Sequence, residues 1–187
     1  MKKLNKEIDI ITHFGKNYNG KQIRYQSDND FDGKRKTACR IDKMKLSEIE
    51  FKDKTVLDIG CNLGMFSQYA QKRGASKVYG VDISEDIIKC AKEYANINGI
   101  YDIDFFVEDL SRKNYMLPEC DIVFYLAMSE YLGFPEFMVG NEITFYEGHA
   151  NENSEETKNK LLELFSKVDD LGFTDDRNIR PIFKCYR

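Results

Sequence analysis

The strongest structural signal in the sequence is Val56-Leu57-Asp58-Ile59-Gly60-Cys61-Asn62-Leu63-Gly64. Its first four residues, together with Thr55, form a short apolar run rich in β-branched side chains, which is typical of a buried parallel strand. Gly60 and Gly64 lack a Cβ, so the backbone of a turn there can approach a ligand closely. Asn62 suits the same turn, because asparagine enters left-handed conformations at low cost. The stretch therefore predicts a strand, a tight turn that can meet a ligand, and the start of a helix.

Strands and helices alternate along the chain from residue 55 onward. Apolar runs predict strands at Thr55–Ile59, Lys77–Asp82, Ile103–Val107, Asp121–Leu126, Glu142–Tyr146 and Pro181–Tyr186. Helical spacing of apolar residues predicts helices after Gly64, after Ser84, over about Ser154–Leu171, and near Arg35–Leu46. We expect the last strand to pair with residues near Phe173. This alternation implies parallel pairing and right-handed crossovers, and hence a three-layer α/β domain.

Acidic residues lie at the ends of the next two predicted strands. Asp82 ends the second strand, 18 residues beyond Gly64, which is about the spacing at which an acid binds ribose hydroxyls. Asp109 follows the third strand and could accept a hydrogen bond from an adenine amino group, while Leu110 and Ile83 could enclose the ring. Each acid alone is more often a solvated strand end. Together with the glycine turn, they favour a nucleotide-like ligand at the carboxyl edge of the sheet.

From about Lys52 to Tyr131 the chain resembles the class I S-adenosylmethionine-dependent methyltransferases. Residues 58–64, 80–84 and 108–110 match the first three motifs of that family in order and spacing. The resemblance implies S-adenosyl-L-methionine as the cofactor. It also implies a Rossmann-like three-layer sandwich, with a mostly parallel sheet of about seven strands and an antiparallel last strand. The cofactor contacts it implies are Asp58, Gly60, Cys61, Asn62 and Gly64 to the methionine part, Asp82 to the ribose, Ile83, Asp109 and Leu110 to adenine, and Leu126 near the sulfonium.

Residues 1–50 lack the strand–helix alternation and carry a surplus of positive charge. Residues 1–54 hold 14 basic and 9 acidic residues, whereas residues 55–187 hold 14 and 23. We predict that residues 1–50 form a lid over a methyltransferase domain of residues 51–187, because the segment is too short and polar to bury a core alone. Residues 32–40 resemble an element in some methyltransferases where a basic residue reaches the cofactor's carboxylate. Arg35 is the first candidate for that role and Arg40 the second, and the alternative is a solvated helix face.

Candidate bases for methyl transfer follow the fourth and fifth predicted strands. Glu130 follows the fourth strand, and Glu147 and His149 follow the fifth. The alternative for the last two is a strand end whose polar groups satisfy neighbouring backbone. We predict a small-molecule acceptor, methylated on oxygen or nitrogen, in a pocket lined by these three residues with Tyr125, Ser129 and Tyr131. The connection from Ser129 to Asn141 is short and leaves little protein to cover this pocket. We therefore expect the lid to cover it with Tyr18, Tyr25 or the basic residues of Lys34–Arg40. Positive charge at that place would favour an anionic acceptor.

Composition bounds the other function classes. The net charge of −4 makes RNA a less favoured acceptor than a small molecule. No sequence of the Asn-Pro-Pro-Tyr type follows the fourth strand, and this argues against methylation of the amino groups of nucleobases. With two histidines, a histidine-rich metal centre is excluded. The five cysteines are scattered and form no C-x-x-C pair, so we interpret them as reduced thiols. No run is apolar enough for a signal peptide or a membrane span, and we expect a cytoplasmic protein.

Two further classes compete with a methyltransferase. A nicotinamide-dependent oxidoreductase would place glycines at positions 60, 62 and 65, where this chain has Gly60, Asn62 and Met65, so it is disfavoured. A non-catalytic module that binds S-adenosylmethionine, or a partner subunit, would keep the same cofactor motifs. Binding and turnover therefore have to be tested separately.

Overall fold

Seven strands form a single sheet in the computed structural model. The structure describes residue 26 and residues 35–112, 114–175 and 179–187, without the side chain of Glu136. The strands are β1 (Thr55–Ile59), β2 (Lys77–Asp82), β3 (Ile103–Val107), β4 (Ile122–Leu126), β5 (Ile143–Glu147), β6 (Lys167–Phe173) and β7 (Pro181–Tyr186). Their order across the sheet is β3-β2-β1-β4-β5-β7-β6, and β7 runs in the direction opposite to the other six strands. The predicted Rossmann-like fold is confirmed, including the antiparallel last strand.

Five α-helices accompany the sheet in the part of the chain that the structure describes. They are α1 (Thr37–Lys43), α2 (Met65–Lys72), α3 (Glu85–Ile97), α4 (Ser129–Leu132) and α5 (Ser154–Leu164), with 3₁₀ turns at Leu46–Glu48 and Glu136–Met138. The α3 helix begins as predicted, because the Ser84 side chain accepts a hydrogen bond from the backbone N–H of Ile87. Glu85 and Asp86 occupy its first turn, where the helix dipole favours negative charge.

The predicted helix over about Ser154–Leu171 is wrong in its second half. The helix ends at Leu164, Phe165 is already extended, and residues 167–173 form β6. This strand pairs antiparallel with β7, and Phe173 lies opposite Pro181, as expected for the last strand. Val168, assigned to the helix from its spacing, is buried on the sheet. A longer helix would include Asp169, Asp170 and Gly172, which are all poor helix formers. The backbone hydrogen bonds with β7 therefore stabilise this segment more than a continued helix would.

Part of the predicted lid packs into the main hydrophobic core. Met44, Leu46 and Ile49 are buried there beside Phe51, the first residue of the predicted domain, against residues of β1, α2 and β4. The described residues just before position 51, the predicted domain boundary, thus share the hydrophobic core of the domain. Tyr18 and Tyr25 lie outside the described residues, and the lid role of residues 1–50 stays a prediction.

The strand order places a topological switch point, where a ligand crevice is expected, at the carboxyl ends of β1 and β4. The chain order runs outward from β1 through β2 to β3 on one side, and from β4 to β5 on the other, so the strand order reverses between β1 and β4. Ligands bind at such reversal points in open α/β sheets.

All five cysteines are free thiols. Among the described residues, no helix combines the length and apolar character that crossing a membrane requires.

Candidate active site

The turn after β1 is built from left-handed residues. Gly60, Asn62 and Gly64 have φ angles of 66°, 51° and 70°. A Cβ on Gly60 would lie 2.4 Å from Sδ of Met128, and one on Gly64 would lie 2.5 Å from the ring of Phe105. Both positions therefore require glycine for steric as well as conformational reasons.

Asn62 supplies an unsatisfied polar atom at this turn. Its side chain is buried, and its Oδ1 atom has no hydrogen-bond partner among the described residues. A buried acceptor without a donor costs about 1–3 kcal/mol. A polar ligand that donates a hydrogen bond at the turn would remove that cost, which fits a cofactor at this place.

Asp58 lies beneath the turn and is almost completely buried. Its Oδ2 atom accepts hydrogen bonds from the Ser67 backbone N–H at 3.1 Å and from the Ser67 hydroxyl at 2.6 Å. Burial raises the pKa of Asp58 to about 6, although the hydrogen bonds from Ser67 and the charge of Arg40 act in the opposite direction. The carboxylate thus joins the end of β1 to the first turns of α2.

The raised pKa of Asp58 predicts a pH-dependent stability. Between about pH 4 and pH 6 the folded protein keeps a proton on Asp58 that the unfolded chain has released, so the free energy of unfolding falls as the pH rises through this window. The interval from 3.8 to about 6 corresponds to about 3 kcal/mol. The Asp58→Asn variant keeps an oxygen for Ser67 and has no charge to bury. We expect its stability relative to the wild type to increase by that amount between pH 4 and pH 7.

Urea unfolding of both proteins across this pH range measures the difference. Titrating groups distant from Asp58 cancel in the comparison, because they are common to the two proteins. A difference that stays constant between pH 4 and pH 7 would contradict the pKa assigned to Asp58.

Asp82 connects the ends of β2 and β1. Its Oδ2 accepts a hydrogen bond from the Asn62 backbone N–H at 3.2 Å, and its Oδ1 accepts one from the Ser84 backbone N–H at 3.1 Å. Burial raises its pKa above the ordinary value, while these backbone donors act in the opposite direction. Ile83 follows it with 62% of its surface exposed, so an apolar side chain stands free beside the acid. The ribose contact of Asp82 and the adenine contact of Ile83 stay predictions.

Asp109 and Leu110 lie beyond the end of β3. Asp109 accepts hydrogen bonds from the Ser111 hydroxyl at 2.6 Å and from Arg112 Nε at 2.8 Å. The hydrogen bond from Ser111 is the largest of the causes that lower its pKa. Leu110 is half-buried against the core. The adenine contact proposed for these two residues stays a prediction.

Two further predicted cofactor residues are buried near the crevice. The Cys61 thiol is buried, and burial raises its pKa well above the ordinary value, so it is a poor nucleophile. Leu126 ends β4, and Ala127 after it has a φ angle of 61°, which is uncommon for a residue with a Cβ. The backbone N–H of Ala127 donates to the Glu147 carbonyl at 2.7 Å, which fixes this strained link between β4 and β5.

Glu147 at the end of β5 is fully buried among three arginines. Its Oε1 atom lies 2.6 Å from Nη2 of Arg35 and 3.4 Å from Nη1 of Arg180, and its Oε2 atom lies 2.6 Å from Nε of Arg40. The structure therefore brings Arg35 and Glu147 together as partners of each other, which sequence reasoning did not anticipate. The guanidinium of Arg40 also packs over the Phe66 ring at 4.7 Å.

Glu130 and His149 also meet, at the carboxyl ends of β4 and β5. Nδ1 of His149 lies 3.2 Å from Oε2 of Glu130, and its Nε2 lies 2.8 Å from the Ala127 carbonyl oxygen. Glu130 is half exposed, whereas His149 is buried. Tyr131 packs edge-on against the imidazole with the ring centroids 5.9 Å apart.

Comparison with known proteins bears on the region that holds the predicted cofactor site. Residues 56–141, which contain the glycine turn, Asp82 and Glu130, match a family described as a methyltransferase domain. This region of the chain is similar to the class I S-adenosylmethionine-dependent methyltransferases. S-adenosyl-L-methionine is the methyl donor of that class, and the unsatisfied Asn62 oxygen and the glycine turn of this chain fit such a ligand.

Relatives with different acceptors share this domain. Protein arginine N-methyltransferase 1 of Saccharomyces cerevisiae is 42% identical over 85 residues, which is 45% of this chain and 23% of the yeast protein. Ubiquinone biosynthesis O-methyltransferase of Neisseria meningitidis serogroup C is 31% identical over 118 residues, which is 59% of this chain and 48% of the relative. The matched region thus spans less than half the length of each of these relatives.

Solved structures show the same fold at low sequence identity. The bifunctional kinase-methyltransferase WbdD superposes with a TM-score of 0.71 at 19% identity, covering 98% of this chain and 46% of WbdD. A putative S-adenosylmethionine-dependent methyltransferase from Listeria monocytogenes superposes with a TM-score of 0.63 at 15% identity, covering 81% of this chain and 99% of that protein.

Sequence reasoning missed two residues that organise the carboxyl ends of β4 and β5. Arg180 contacts Glu147, and the antiparallel pairing of Glu147 with Ile182 could have indicated this once β5 and β7 were taken as neighbours. Glu152 accepts hydrogen bonds from four groups in the loop and helices around His149. No local sequence pattern distinguishes Glu152 from the acids that follow it at the start of α5.

Proposed function

We propose that this chain transfers the methyl group of S-adenosylmethionine to a nitrogen atom of a small acceptor molecule at the ends of β4 and β5. The cofactor supplies an electrophilic methyl group on a sulfonium, which is displaced in line by the acceptor. The protein positions the two reactants and accepts the proton that the nitrogen loses. The Glu130–His149 pair is the observation that carries this proposal.

The hydrogen bonds of His149 support the role proposed for it. A carbonyl oxygen can only accept, so the contact with Ala127 requires that Nε2 of His149 carry a hydrogen. Nδ1 then faces Glu130 with a lone pair, and two lone pairs 3.2 Å apart form no hydrogen bond until a proton lies between them. The pair gains a hydrogen bond when it takes up a proton, which suits a proton acceptor.

Glu147, the third candidate base, has a different place in this proposal. Its two carboxylate oxygens are occupied by Arg35, Arg40 and Arg180, and the side chain is completely buried. We assign it an anchoring role and leave proton transfer to Glu130 and His149. Arg35, proposed from the sequence for the cofactor's carboxylate, directs its Nη2 atom to Glu147.

The distribution of charge favours a basic nitrogen as the acceptor. Arg35 and Arg40 from the expected lid are buried against Glu147, and the half-exposed charge at the ends of β4 and β5 is the Glu130 carboxylate. A carboxylate attracts an amine or guanidine and repels an acid. We therefore replace the anionic acceptor expected from the sequence with a cationic or neutral nitrogen compound.

A second candidate is a guanidinium group on a protein side chain. The 42% identity with the yeast protein arginine N-methyltransferase favours it, since the matched region of 85 residues is shared with an enzyme named for that acceptor. The same Glu130 carboxylate would face a guanidinium in either acceptor.

Methyl transfer from labelled S-adenosylmethionine to a panel of acceptors tests the proposal. The panel contains small amines and guanidines, phenols, carboxylic acids, an arginine-rich peptide, and bulk RNA at several salt concentrations. We expect transfer to a small amine or guanidine and a loss of about 100-fold in kcat for Glu130→Gln. Glu119→Gln is the control, because Glu119 is an exposed acid before β4.

Each other result overturns a defined part of the proposal. Transfer to the arginine-rich peptide alone selects the second candidate, and transfer to a phenol or a carboxylic acid rejects a nitrogen acceptor. RNA binding that weakens steeply with salt, with no small-molecule turnover, would make RNA the acceptor. Cofactor binding without transfer to any acceptor would leave a binding module in place of an enzyme.

A further inference from the structure

Glu152 lies in the loop between β5 and α5 and accepts four hydrogen bonds, from α4, from β5, from its own loop and from α5. Its Oε1 atom accepts from the Ser129 hydroxyl and, at 2.9 Å, from the His149 backbone N–H. Its Oε2 atom accepts from the Tyr146 hydroxyl at 2.7 Å and from the Thr157 hydroxyl at 3.2 Å. Two oxygens with two lone pairs each are thereby fully used.

The donors around Glu152 belong to the elements that carry the proposed base pair. Ser129 is the first residue of α4 and precedes Glu130, while the N–H of His149 belongs to the imidazole's own residue. Tyr146 lies in β5, and its ring is buried and stacked on Phe134, so the packing holds its hydroxyl in one position. The one carboxylate therefore ties the Glu130 side and the His149 side of the pair to the same rigid strand.

The backbone next to Glu152 has the shape that this contact requires. A Cβ on Gly148 would lie 2.6 Å from Oε2 of Glu152 and 2.9 Å from Cγ of Pro181. The glycine lets the carboxylate close down on the loop between Glu147 and His149. The close approach and the four donors are independent observations of the same contact.

We propose that Glu152 is the positioning residue that holds Glu130 and His149 in register for proton transfer. This inference rests on the proposed function. Glu152 itself has no lone pair left for an acceptor, so its effect on the reaction passes through the two residues that it orders.

Two substitutions separate the geometry from the charge. In Glu152→Gln the amide oxygen can keep Ser129 and His149, and the amide NH₂ can donate to the hydroxyls of Tyr146 and Thr157, which accept as readily as they donate. Glu152→Ala removes all four contacts. Glu155→Ala is the matched control, because Glu155 is an exposed acid in the first turn of α5.

Nitrogen NMR of the imidazole rings tests the positioning without any acceptor. In a His13→Gln background, His149 is the single histidine, and its ring should show a hydrogen fixed on Nε2. We expect Glu152→Gln and Glu155→Ala to keep that spectrum. Glu152→Ala should move it towards the mixture of tautomers that a freely solvated imidazole shows.

Activity and cofactor binding complete the experiment. With the acceptor found above, Glu152→Ala should lower kcat by about 100-fold, in the range that misplacement by about 1 Å costs, and leave the Kd of S-adenosylhomocysteine within twofold. Glu152→Gln should restore most of kcat. A wild-type ring spectrum in Glu152→Ala, or equal losses of kcat in the Gln and Ala variants, would overturn the inference. If no acceptor is methylated, the proposed function fails while the ring spectra still decide the role of Glu152.

Discussion

Glu147→Gln should lower the free energy of unfolding by about 3–5 kcal/mol, the cost of removing one partner from a buried ion pair. Glu147 is completely buried, and the side chains of Arg35, Arg40 and Arg180 around it are each less than one-tenth exposed. The neutral amide keeps the shape of the side chain and removes the charge that these guanidinium groups face. For a chain of this size we expect the melting temperature to fall by about 10 °C.

Chemical unfolding of Glu147→Gln beside Glu142→Gln measures this effect against a surface pair. Glu142 binds Lys54 at 2.6 Å, but its side chain is 55% exposed, and a pair of that kind contributes less than about 1 kcal/mol. Equal and small losses of stability in the two variants would show that the arginine cluster carries no net stabilisation through Glu147.

Asp82→Ala should weaken S-adenosylhomocysteine binding by about 100-fold. The carboxylate holds the backbone N–H groups of Asn62 and Ser84 and keeps lone pairs for the ribose hydroxyls. Hydrogen bonds to a charged group contribute about 1.5–3 kcal/mol each, and 1.4 kcal/mol corresponds to a factor of ten in affinity. Calorimetry with the purified variant gives the Kd directly.

Two comparisons distinguish ribose binding from a distorted turn. Asp104→Ala is the control, since Asp104 is an exposed acid of β3 paired with Lys77, and its Kd should stay within twofold. A ligand without the two ribose hydroxyls should bind the wild type more weakly and lose little more in Asp82→Ala. Unchanged affinity of Asp82→Ala for S-adenosylhomocysteine would refute the role assigned to this residue.

The sequence predicted the parts of the fold that depend on local pattern. The bounds of β1 and β2 agree with prediction, because central parallel strands are rich in apolar residues. The bounds of β3 also agree, since this edge strand alternates between buried and exposed residues. β6 was missed, since its burial alternates weakly and its sequence includes Asp169 and Asp170. That strand exists through its ladder with β7, and such pairing leaves little trace in the local sequence.

The same distinction applies to the candidate site. The glycine turn and Asp82 could be predicted because a strand end, a turn and an acid at fixed spacing lie within 27 residues, from Asp58 to Ser84. The contacts of Glu147 join residues 112, 107 and 33 positions apart, and no local spacing encodes them. The sequence shows the charges of Glu147 and of the three arginines, but not that they pair with each other.

The ion pairs of Glu147 also impose an order on folding. Arg35 and Arg40 precede every strand of the sheet, whereas the carboxylate that neutralises them ends β5, and Arg180 comes still later. During synthesis the two arginines emerge more than 100 residues ahead of their partner. Their burial must wait until β5 has joined the sheet, because an unpaired guanidinium is costly to remove from water. We expect docking of α1 to be a late step, which closes the nascent domain only after its central strands have assembled.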